Sequence, residues 1–351
     1  MLEQFTVENF KGFKKLTLDD LGHINIFVGK NNTGKTSLLQ AVGLSRLKGH
    51  TFDNSWLKKL VCLLLSGAES IGKEYKLIQN IFNIKQSILN TRCSFKDSEE
   101  DMTDYVIGLT LNRNRDNSTL SFTQTFLSAN TKMEQEVIIP SSKPFFRYAL
   151  SEMTDSIFSS NFPMKAFTAF QYAELSLDNK KRESLLEELQ KIEPSLKDIR
   201  LSSGDEMFCD IGLPKLLPID NMGDGFIKLF ALLCFLEPSE VSCDDVNITL
   251  IDEPENGFHY SVQSQFWQLL ATAGLEHGKQ SFIATHSYEL LESLNTLLNE
   301  NPDLTKPVKE GGQGLKVRVY ELQRVGEHLQ VVKIDQEVMS ILIKHGSDFR
   351  G

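Results

Sequence analysis

A short stretch near the N-terminus carries the residue types that bind phosphate. It reads GKNNTGKTS and follows the pattern G-x-x-x-x-G-K-[ST]. Two glycines let the backbone curl until successive N–H groups point into one concavity, a lysine supplies a cation, and a threonine hydroxyl supplies a ligand for Mg²⁺. The spacing predicts a nucleotide phosphate site formed by Gly29, Lys30, Asn31, Asn32, Thr33, Gly34, Lys35, Thr36 and Ser37.

The elements on either side are those that such a loop requires. An apolar run, His23–Val28, predicts a strand before it, and Leu38–Val42 begins a helical pattern after it. The new helix adds its positive N-terminal end to the loop. We expect Lys35 to reach the β- and γ-phosphates and Thr36 to bind Mg²⁺. The alternative is a glycine-rich turn before a core helix.

Two carboxylates end a second apolar run. Asn247–Ile251 reads as a buried strand, and Asp252 and Glu253 follow it directly. Ligands of an open parallel sheet sit at the carboxyl ends of its strands, so both side chains are expected beside the phosphate loop. Asp252 would hold the Mg²⁺ shared with Thr36, and Glu253 would orient and polarise the attacking water. The alternative is an acidic turn after a core strand.

A histidine ends a further apolar strand. His286 follows the run Ser281–Ala284, which a predicted helix, Ser261–Glu276, separates from the Asp252 strand. This placement predicts a hydrogen bond from His286 to the γ-phosphate that helps to place the water; a satisfied structural histidine is the alternative. His259 either touches a partner subunit or caps the following helix.

A second glycine segment precedes a strongly apolar helix, Phe226–Leu236. Its free N–H groups and the helix dipole make a second anion site. One protein cannot easily present two such sites to one phosphate, so a second subunit would supply this one. The residues are Asn221, Gly223, Asp224 and Gly225. A glycine turn that enters a core helix is the alternative.

Composition excludes several classes of protein. The chain has 351 residues, a formal net charge of −10 and five scattered cysteines. The net negative charge does not indicate DNA binding, although it does not exclude a local basic patch that binds DNA. The cysteines indicate a reduced, cytoplasmic protein, and the apolar runs are too short for a membrane span, so no membrane partner is expected.

Alternating strands and helices predict an α/β fold with a mixed or parallel sheet and flanking helices. We expect one domain over 1–351, with β-rich nucleotide-binding parts at 1–45 and 101–150, where Thr103–Leu111 and Thr119–Phe126 form a hairpin around Asn114–Asn117. A helical insertion is predicted at 46–100, with two helices over Ser55–Asn90 and a loop at Lys96–Asp101. A helical lobe at 151–236 contains a helix at Ser176–Ile192. The carboxylate strand and the histidine fall in 237–351, which ends in a hairpin and a short helix.

Taken in chain order, these pieces resemble the ABC-type ATPases of the SMC, RecF and OLD group, and most closely the small standalone OLD-like AAA ATPases. Besides the phosphate loop, the residues that carry the likeness are Phe5–Lys11, Met222–Gly225, Ile251–His259 and Thr285–Ser287. The resemblance implies an ABC-type P-loop head with an antiparallel β-rich N-terminal lobe and a helical lobe. It also implies a head that binds ATP and Mg²⁺ and dimerises head-to-tail, so that the signature segment (Asn221–Gly225) of one subunit closes the other's phosphate site.

Three departures from that group stand in the sequence. Asn221 occupies the position where related sequences commonly place a serine. Gln171 and Gln124 are candidates for the glutamine that links the lobes, and a surface role is favoured for both. Finally, the nuclease domain that OLD proteins often carry at the C-terminus is not expected, because only a hairpin and a short helix are predicted after His286.

The favoured hypothesis is a slow ATPase switch that forms a homodimer or a higher oligomer. In it the chain is the ATPase component of a bacterial anti-phage system and controls a separate effector protein, such as a nuclease, encoded nearby. A RecF-like DNA-repair ATPase is the alternative, and salt-dependent DNA binding would favour it. A small-molecule kinase is a third hypothesis, marked by phosphate transfer to an acceptor other than water.

Overall fold

The structure is a computed structural model of the chain. It describes residues 1–10, 12–45, 88–97, 100–113, 119–128, 131–140, 157–159, 164–202, 206–237, 248–256, 258, 260–306, 314–326 and 328–344. Its first half contains β1 (Leu2–Phe10), β2 (Phe13–Leu18), β3 (Ile24–Val28), α1 (Lys35–Ser45), β4 (Ile88–Asp97), β5 (Glu100–Arg113), β6 (Thr119–Ser128), β7 (Thr131–Pro140) and β8 (Ile157–Ser159).

The second half contains more helix. Its elements are α2 (Met164–Leu175), α3 (Asn179–Gln190), β9 (Asp198–Leu201), β10 (Met207–Asp210), β11 (Leu217–Pro218), α4 (Asp224–Leu236), β12 (Ile248–Asp252), α5 (Tyr260–His277), β13 (Gln280–Ala284), α6 (Tyr288–Glu300), β14 (Val317–Val325), β15 (His328–Ile334) and α7 (Gln336–Lys344). Short 3-10 turns lie at Ile219–Asn221 and Pro302–Thr305.

The central sheet brings three strand ends to one edge. Its order is β15-β14-β3-β13-β12-β8, and its neighbours are parallel except for β14 and β15. Every residue of β3 and of β13 is buried, as expected of parallel strands covered on both faces. The carboxyl ends of β3, β13 and β12 therefore lie side by side, which is the place where an α/β sheet binds its ligand.

Helices cover this sheet and share its core. Residues of α4, α5, α6 and α7 form one buried apolar cluster with β3, β12 and β13. Trp267 of α5 is fully buried, and its indole N–H donates to the carbonyl of Leu290 at the start of α6 over 2.9 Å. Burial of one such large side chain contributes about 2–3 kcal/mol to the free energy of unfolding. The shared core therefore holds the helices against the sheet that carries the strand ends.

An antiparallel sheet forms the N-terminal lobe, with the order β2-β1-β4-β5-β6-β7. The predicted hairpin is confirmed by the antiparallel pairing of β5 with β6, although its turn, Asn114–Asn117, lies outside the described residues. The predictions of helix for residues 88–90 and of a loop at Lys96–Asp101 are wrong, because β4 and β5 cover these positions apart from residues 98–99. Their β-branched and aromatic residues suit an antiparallel sheet. The rest of the predicted insertion, 46–87, lies outside the described residues.

The helical lobe has a core of its own. Helices α2, α3 and α4 pack with a small sheet of order β11-β10-β9 around buried residues such as Tyr172, Leu189 and Phe230. The side chain of Gln171 on α2 is 6 % exposed, so the surface role favoured for it is wrong. The Gln124 side chain lies outside what the structure describes.

More structure follows His286 than the sequence suggested. Helix α6 begins at Tyr288 and was not predicted, although its apolar face (Leu290, Leu291, Leu294, Leu297 and Leu298) has helical spacing. The Ser287 hydroxyl caps it by accepting the N–H of Leu290. The predicted hairpin and short helix are confirmed as β14, β15 and α7.

Candidate functional site

The phosphate loop joins β3 to α1 and curls through three residues with positive φ. Gly29 has φ 139°, Asn32 has φ 63° and Gly34 has φ 89°. A Cβ on Gly29 would lie 2.5 Å from the carbonyl oxygen of Leu322 in β14. Glycine is therefore required at position 29 by the close approach of the C-terminal hairpin.

Other side chains back or border the loop. A Cβ on Gly34 would lie 3.0 Å from Phe13 and 3.2 Å from Leu329, so β2 and β15 support its floor. The hydroxyl of Thr33 donates to the carbonyl of Lys30, which tightens the turn. Side chains of the other predicted phosphate-binding residues are exposed at Lys30, Asn31, Asn32 and Thr36, and half-buried at Ser37.

Lys35 points its ammonium group back into the loop. Its Nζ donates to the carbonyls of Gly29 (2.8 Å) and Lys30 (2.9 Å). Burial lowers the pKa of Lys35, while the carboxylates of Glu253 and Asp252 act in the opposite direction. A cation held here by weak neutral acceptors is ready to turn to a phosphate oxygen, which is a stronger partner.

Thr36 meets Asp252, as the sequence predicts. The Thr36 hydroxyl donates to Oδ1 of Asp252 over 3.2 Å. Burial raises the pKa of Asp252 to about 6; the Thr36 hydrogen bond acts against this rise, and the Glu253 and Glu255 carboxylates add to it. Three neighbouring carboxylates would repel a nucleotide, so a cation must accompany the phosphates.

The Thr36 and Asp252 oxygens fit a magnesium ion. Adjacent ligands of octahedral Mg²⁺ lie about 3 Å apart, which agrees with the 3.2 Å between these two atoms. The described residues hold no group of three or more His, Cys, Asp and Glu that could bind a metal. That is consistent, because Mg²⁺ in nucleotide sites takes one or two protein ligands and completes its shell with phosphate and water.

Glu253 sits directly after β12 in a left-handed conformation, with φ 49°. Its backbone N–H donates to the carbonyl of Ala284 at the end of β13, and its Oε2 accepts a hydrogen bond from Asn256. Residues other than glycine avoid this φ region, and such strain concentrates at functional sites. The turn thus aims a carboxylate at the edge where the phosphate loop lies.

His286 lies against the same carboxylates. Its Nδ1 is 3.8 Å from Oε1 of Glu253 and 3.1 Å from Oε1 of Glu255. The shorter contact lacks hydrogen-bond alignment, since Nδ1 has no hydrogen-bond partner among the described residues. The structure therefore brings Asp252, Glu253 and His286 together with Lys35 and Thr36, while His259 lies outside the described residues.

Two side chains were not identified from the sequence. Glu255 accepts hydrogen bonds from the Thr285 hydroxyl and the His286 backbone N–H. It lies in the segment Ile251–His259, but the predicted strand ends at Ile251, so no direction could be predicted for its side chain. Arg324 of β14 donates to the carbonyl of Asn32 over 3.5 Å. The two residues are far apart in the chain, so no local sequence pattern predicts this contact.

The signature segment lies elsewhere in the chain. Gly223 precedes α4 with φ 85°, and it is exposed, as are Asn221 and Asp224, while Gly225 is half-buried. Helix α4 packs against α2, α3 and α5. Among the described residues, no hydrogen bond joins this segment to the phosphate loop, so the structure does not unite the two predicted anion sites within one chain.

Known proteins resemble the chain over most of its length. A family model described as "AAA domain, putative AbiEii toxin, Type IV TA system" matches residues 98–292. An ATP/GTP phosphatase of Helicobacter pylori is 21 % identical over 86 % of this chain and 89 % of its own. A DNA replication and repair protein RecF of Lactobacillus acidophilus is 51 % identical, but only over 12 % of this chain and 11 % of its own.

Solved structures show the same fold. An SMC head bound to the C-terminal winged-helix domain of ScpA has TM-score 0.51 and 12 % identity, and covers 95 % of this chain and 97 % of that one. The SMC head with an extended coiled coil from Pyrococcus furiosus has TM-score 0.53 and 10 % identity, with 99 % of each chain covered. The fold is thus the α/β fold of these ABC-type heads. In the described part of the chain, no helix is both long and apolar enough to cross a bilayer.

Proposed function

We propose a function from one premise: the chain belongs to the AAA-domain family whose model matches residues 98–292. It is an ABC-type ATPase, and we propose that it hydrolyses ATP slowly and uses hydrolysis to change its state of assembly. The observation that carries this proposal is the contact of Thr36 with Asp252, because it joins the phosphate loop to the carboxylate strand.

The site residues divide the reaction among them. The backbone N–H groups of the phosphate loop and the Lys35 ammonium bind the β- and γ-phosphates, and Thr36 and Asp252 would hold Mg²⁺. When bound, the ion neutralises phosphate charge. Glu253 accepts a hydrogen bond from the attacking water and orients it toward the γ-phosphate, and His286 donates to a γ-phosphate oxygen.

A second copy of the chain would complete the site. The exposed Asn221, Gly223 and Asp224 stand at the N-terminus of α4, where free N–H groups and the helix dipole attract phosphate. Two heads arranged head-to-tail would place the signature segment of each on the phosphate loop of the other. ATP would then act as the ligand that joins them, and hydrolysis would release them.

The biological setting that we propose is bacterial anti-phage defence. The resemblance to the OLD-like ATPases supports it, and the description of the matched family, which includes a toxin, is in keeping with it. The chain would control a separate effector protein encoded nearby. Co-purification of a neighbouring gene's product, tested with and without ATP, checks this part of the proposal.

ATP turnover by purified protein tests the enzymatic part. We expect Mg²⁺-dependent phosphate release by the wild type, loss of nucleotide binding in Lys35→Ala, and binding without turnover in Glu253→Gln. Glu292→Gln makes the same chemical change on the exposed face of α6 and serves as the control. Wild-type turnover by Glu253→Gln would refute the assignment of the water-polarising group.

A RecF-like role in DNA repair is the alternative function. The short match to the RecF protein of Lactobacillus acidophilus favours it, and the net charge of −10 weighs against it. Binding of DNA that strengthens with ATP and weakens steeply with salt would favour this alternative.

A further inference from the structure

We infer that Glu255 is a positioning residue that holds His286 in place for ATP hydrolysis; the inference rests on the proposed function. One oxygen of Glu255 makes the key contacts. Oε1 accepts the Thr285 hydroxyl over 2.9 Å and the His286 backbone N–H over 3.0 Å. His286 Nδ1 is 3.1 Å from that same oxygen. The backbone N–H and the ring Nδ1 of His286 thus both contact the same oxygen atom of Glu255.

The surroundings strengthen the two hydrogen bonds that Glu255 accepts. The Glu255 side chain is 10 % exposed, so its charge is poorly screened by water. Thr285 is fully buried, and its hydroxyl also accepts the backbone N–H of Ser287, which in turn caps α6. The loop that carries His286 is therefore tied at one end to Glu255 and at the other to a buried helix.

The ring contact selects an orientation for the imidazole. Nδ1 and Glu255 Oε1 are not aligned for a hydrogen bond, so the attraction is electrostatic. Nδ1 lies 3.1 Å from Glu255 Oε1 and 3.8 Å from Glu253 Oε1, so the Glu255 carboxylate attracts a proton on Nδ1 more strongly. The orientation with Nδ1 toward Glu255 leaves Nε2 as the ring nitrogen that can face a phosphate. Second contacts of this kind commonly set which imidazole nitrogen does the chemistry.

A purely structural role explains less. Oε2 of Glu255 is buried and has no hydrogen-bond partner among the described residues, and a buried carboxylate oxygen in that state costs free energy. Capping the Thr285 loop alone would not require this buried charge. The positive charge of Lys228 on α4 attracts Glu255 and offsets part of that cost.

The test compares Glu255→Ala, His286→Ala and the double variant, with Glu292→Gln as control. We expect Glu255→Ala to lower kcat by roughly tenfold or more, in line with the loss of a general acid–base or hydrogen-bonding group, while KM and nucleotide binding stay within about twofold. The double variant should turn over no more slowly than His286→Ala, because Glu255 acts through His286. Multiplicative losses in the double variant would overturn the inference, as would unchanged turnover in Glu255→Ala.

Glu255→Gln supplies a variant of the same size. Its amide oxygen still accepts the Thr285 and His286 donors, so the loop stays folded, but the charge that orients the ring is gone. In histidine-labelled protein, the ¹⁵N spectrum of His286 should show the proton on Nδ1 in the wild type and a shifted signal in Glu255→Gln. Loss of one signal in His286→Ala assigns it among the seven histidines.

ATP turnover and the ¹⁵N spectrum distinguish failure of the proposed function from failure of the positioning role. A wild-type protein without ATP turnover would refute the proposed function, while the ring spectrum would still report whether Glu255 orients His286. An identical His286 signal in the wild type and Glu255→Gln overturns the positioning role even if ATP hydrolysis is confirmed.

Discussion

The hydroxyl oxygen of Thr36 lies 3.2 Å from Oδ1 of Asp252, although 216 positions separate the two residues in the chain. One belongs to the first turn of α1 and the other to the end of β12, and strand β13 lies between β12 and the strand that precedes α1. The contact exists because parallel strands put their carboxyl ends on one edge.

Thr36→Val should lower the affinity for Mg²⁺-ATP by about tenfold or more, because it removes a metal ligand and leaves the size of the side chain unchanged. Thr36→Ser should keep wild-type affinity, since it retains the hydroxyl. Titration with a fluorescent ATP analogue, with and without Mg²⁺, measures both. Equal loss in Thr36→Val with and without Mg²⁺ would contradict a role in metal binding.

Asp252→Asn should stabilise the nucleotide-free protein at pH 7.5. The pKa of Asp252 is raised from 3.8 to about 6, so the folded state binds more protons than the unfolded state between these values. Stability is therefore present below pH 4 and is lost as the pH rises through 6. The variant should gain about 1–2 kcal/mol at pH 7.5 and little at pH 4. Urea unfolding at both pH values checks this, and an equal change at both would exclude ionisation as the cause.

Asn32→Gly should leave stability almost unchanged, whereas Asn32→Val should lower it by about 1–2 kcal/mol. Position 32 has φ 63°, which asparagine and glycine tolerate and a β-branched residue does not. Thermal unfolding measures the difference, which amounts to about 2 °C or more for a chain of this size. If Asn32→Val unfolds at the wild-type temperature, the left-handed turn does not exist in solution.

Gly223→Ala should reduce ATP-dependent assembly without weakening ATP binding by the single chain. Gly223 has φ 85° and ψ 151°, a region that is almost exclusive to glycine, and it is exposed in the signature segment. Light scattering with ATP in the Glu253→Gln background measures assembly.

Gly278→Ala is the matched control for Gly223→Ala. Its φ is 62°, and like Gly223 it has open space around its Cβ position among the described residues, but it follows α5. It should also lose stability, because its positive φ disfavours alanine, and it should keep ATP-dependent assembly. Loss of assembly in both variants would attribute the effect to strain instead of to the signature segment.

Local patterns predicted the central sheet well. The apolar runs before the phosphate loop, before Asp252 and before His286 each form a buried parallel strand. A short, continuous apolar run that ends in polar residues is typical of such a strand in a parallel α/β fold. Sequence spacing could also bring Lys35, Thr36 and Asp252 together, because Asp252 ends its strand and Lys35 and Thr36 follow the phosphate loop that begins where β3 ends.

Other features depend on contacts that spacing does not encode. The helical spacing of apolar residues that Ile88 continues predicts helix for residues 88–90, but these residues begin β4, and their pairing with β5 overrides such a local preference. The direction of the Glu255 side chain could not be predicted, because a turn through Pro254 sets it. The carbonyl of Leu322 against Gly29 is likewise visible only in three dimensions.

That last contact links the nucleotide site to the order of synthesis. The ribosome makes Gly29 long before Leu322 and Leu329, which form the wall and the floor of the loop. A nascent chain that has not yet emerged as far as β14 and β15 therefore carries the whole phosphate-binding sequence but not its supports. The contacts that close around the loop are therefore complete only after synthesis has passed β15.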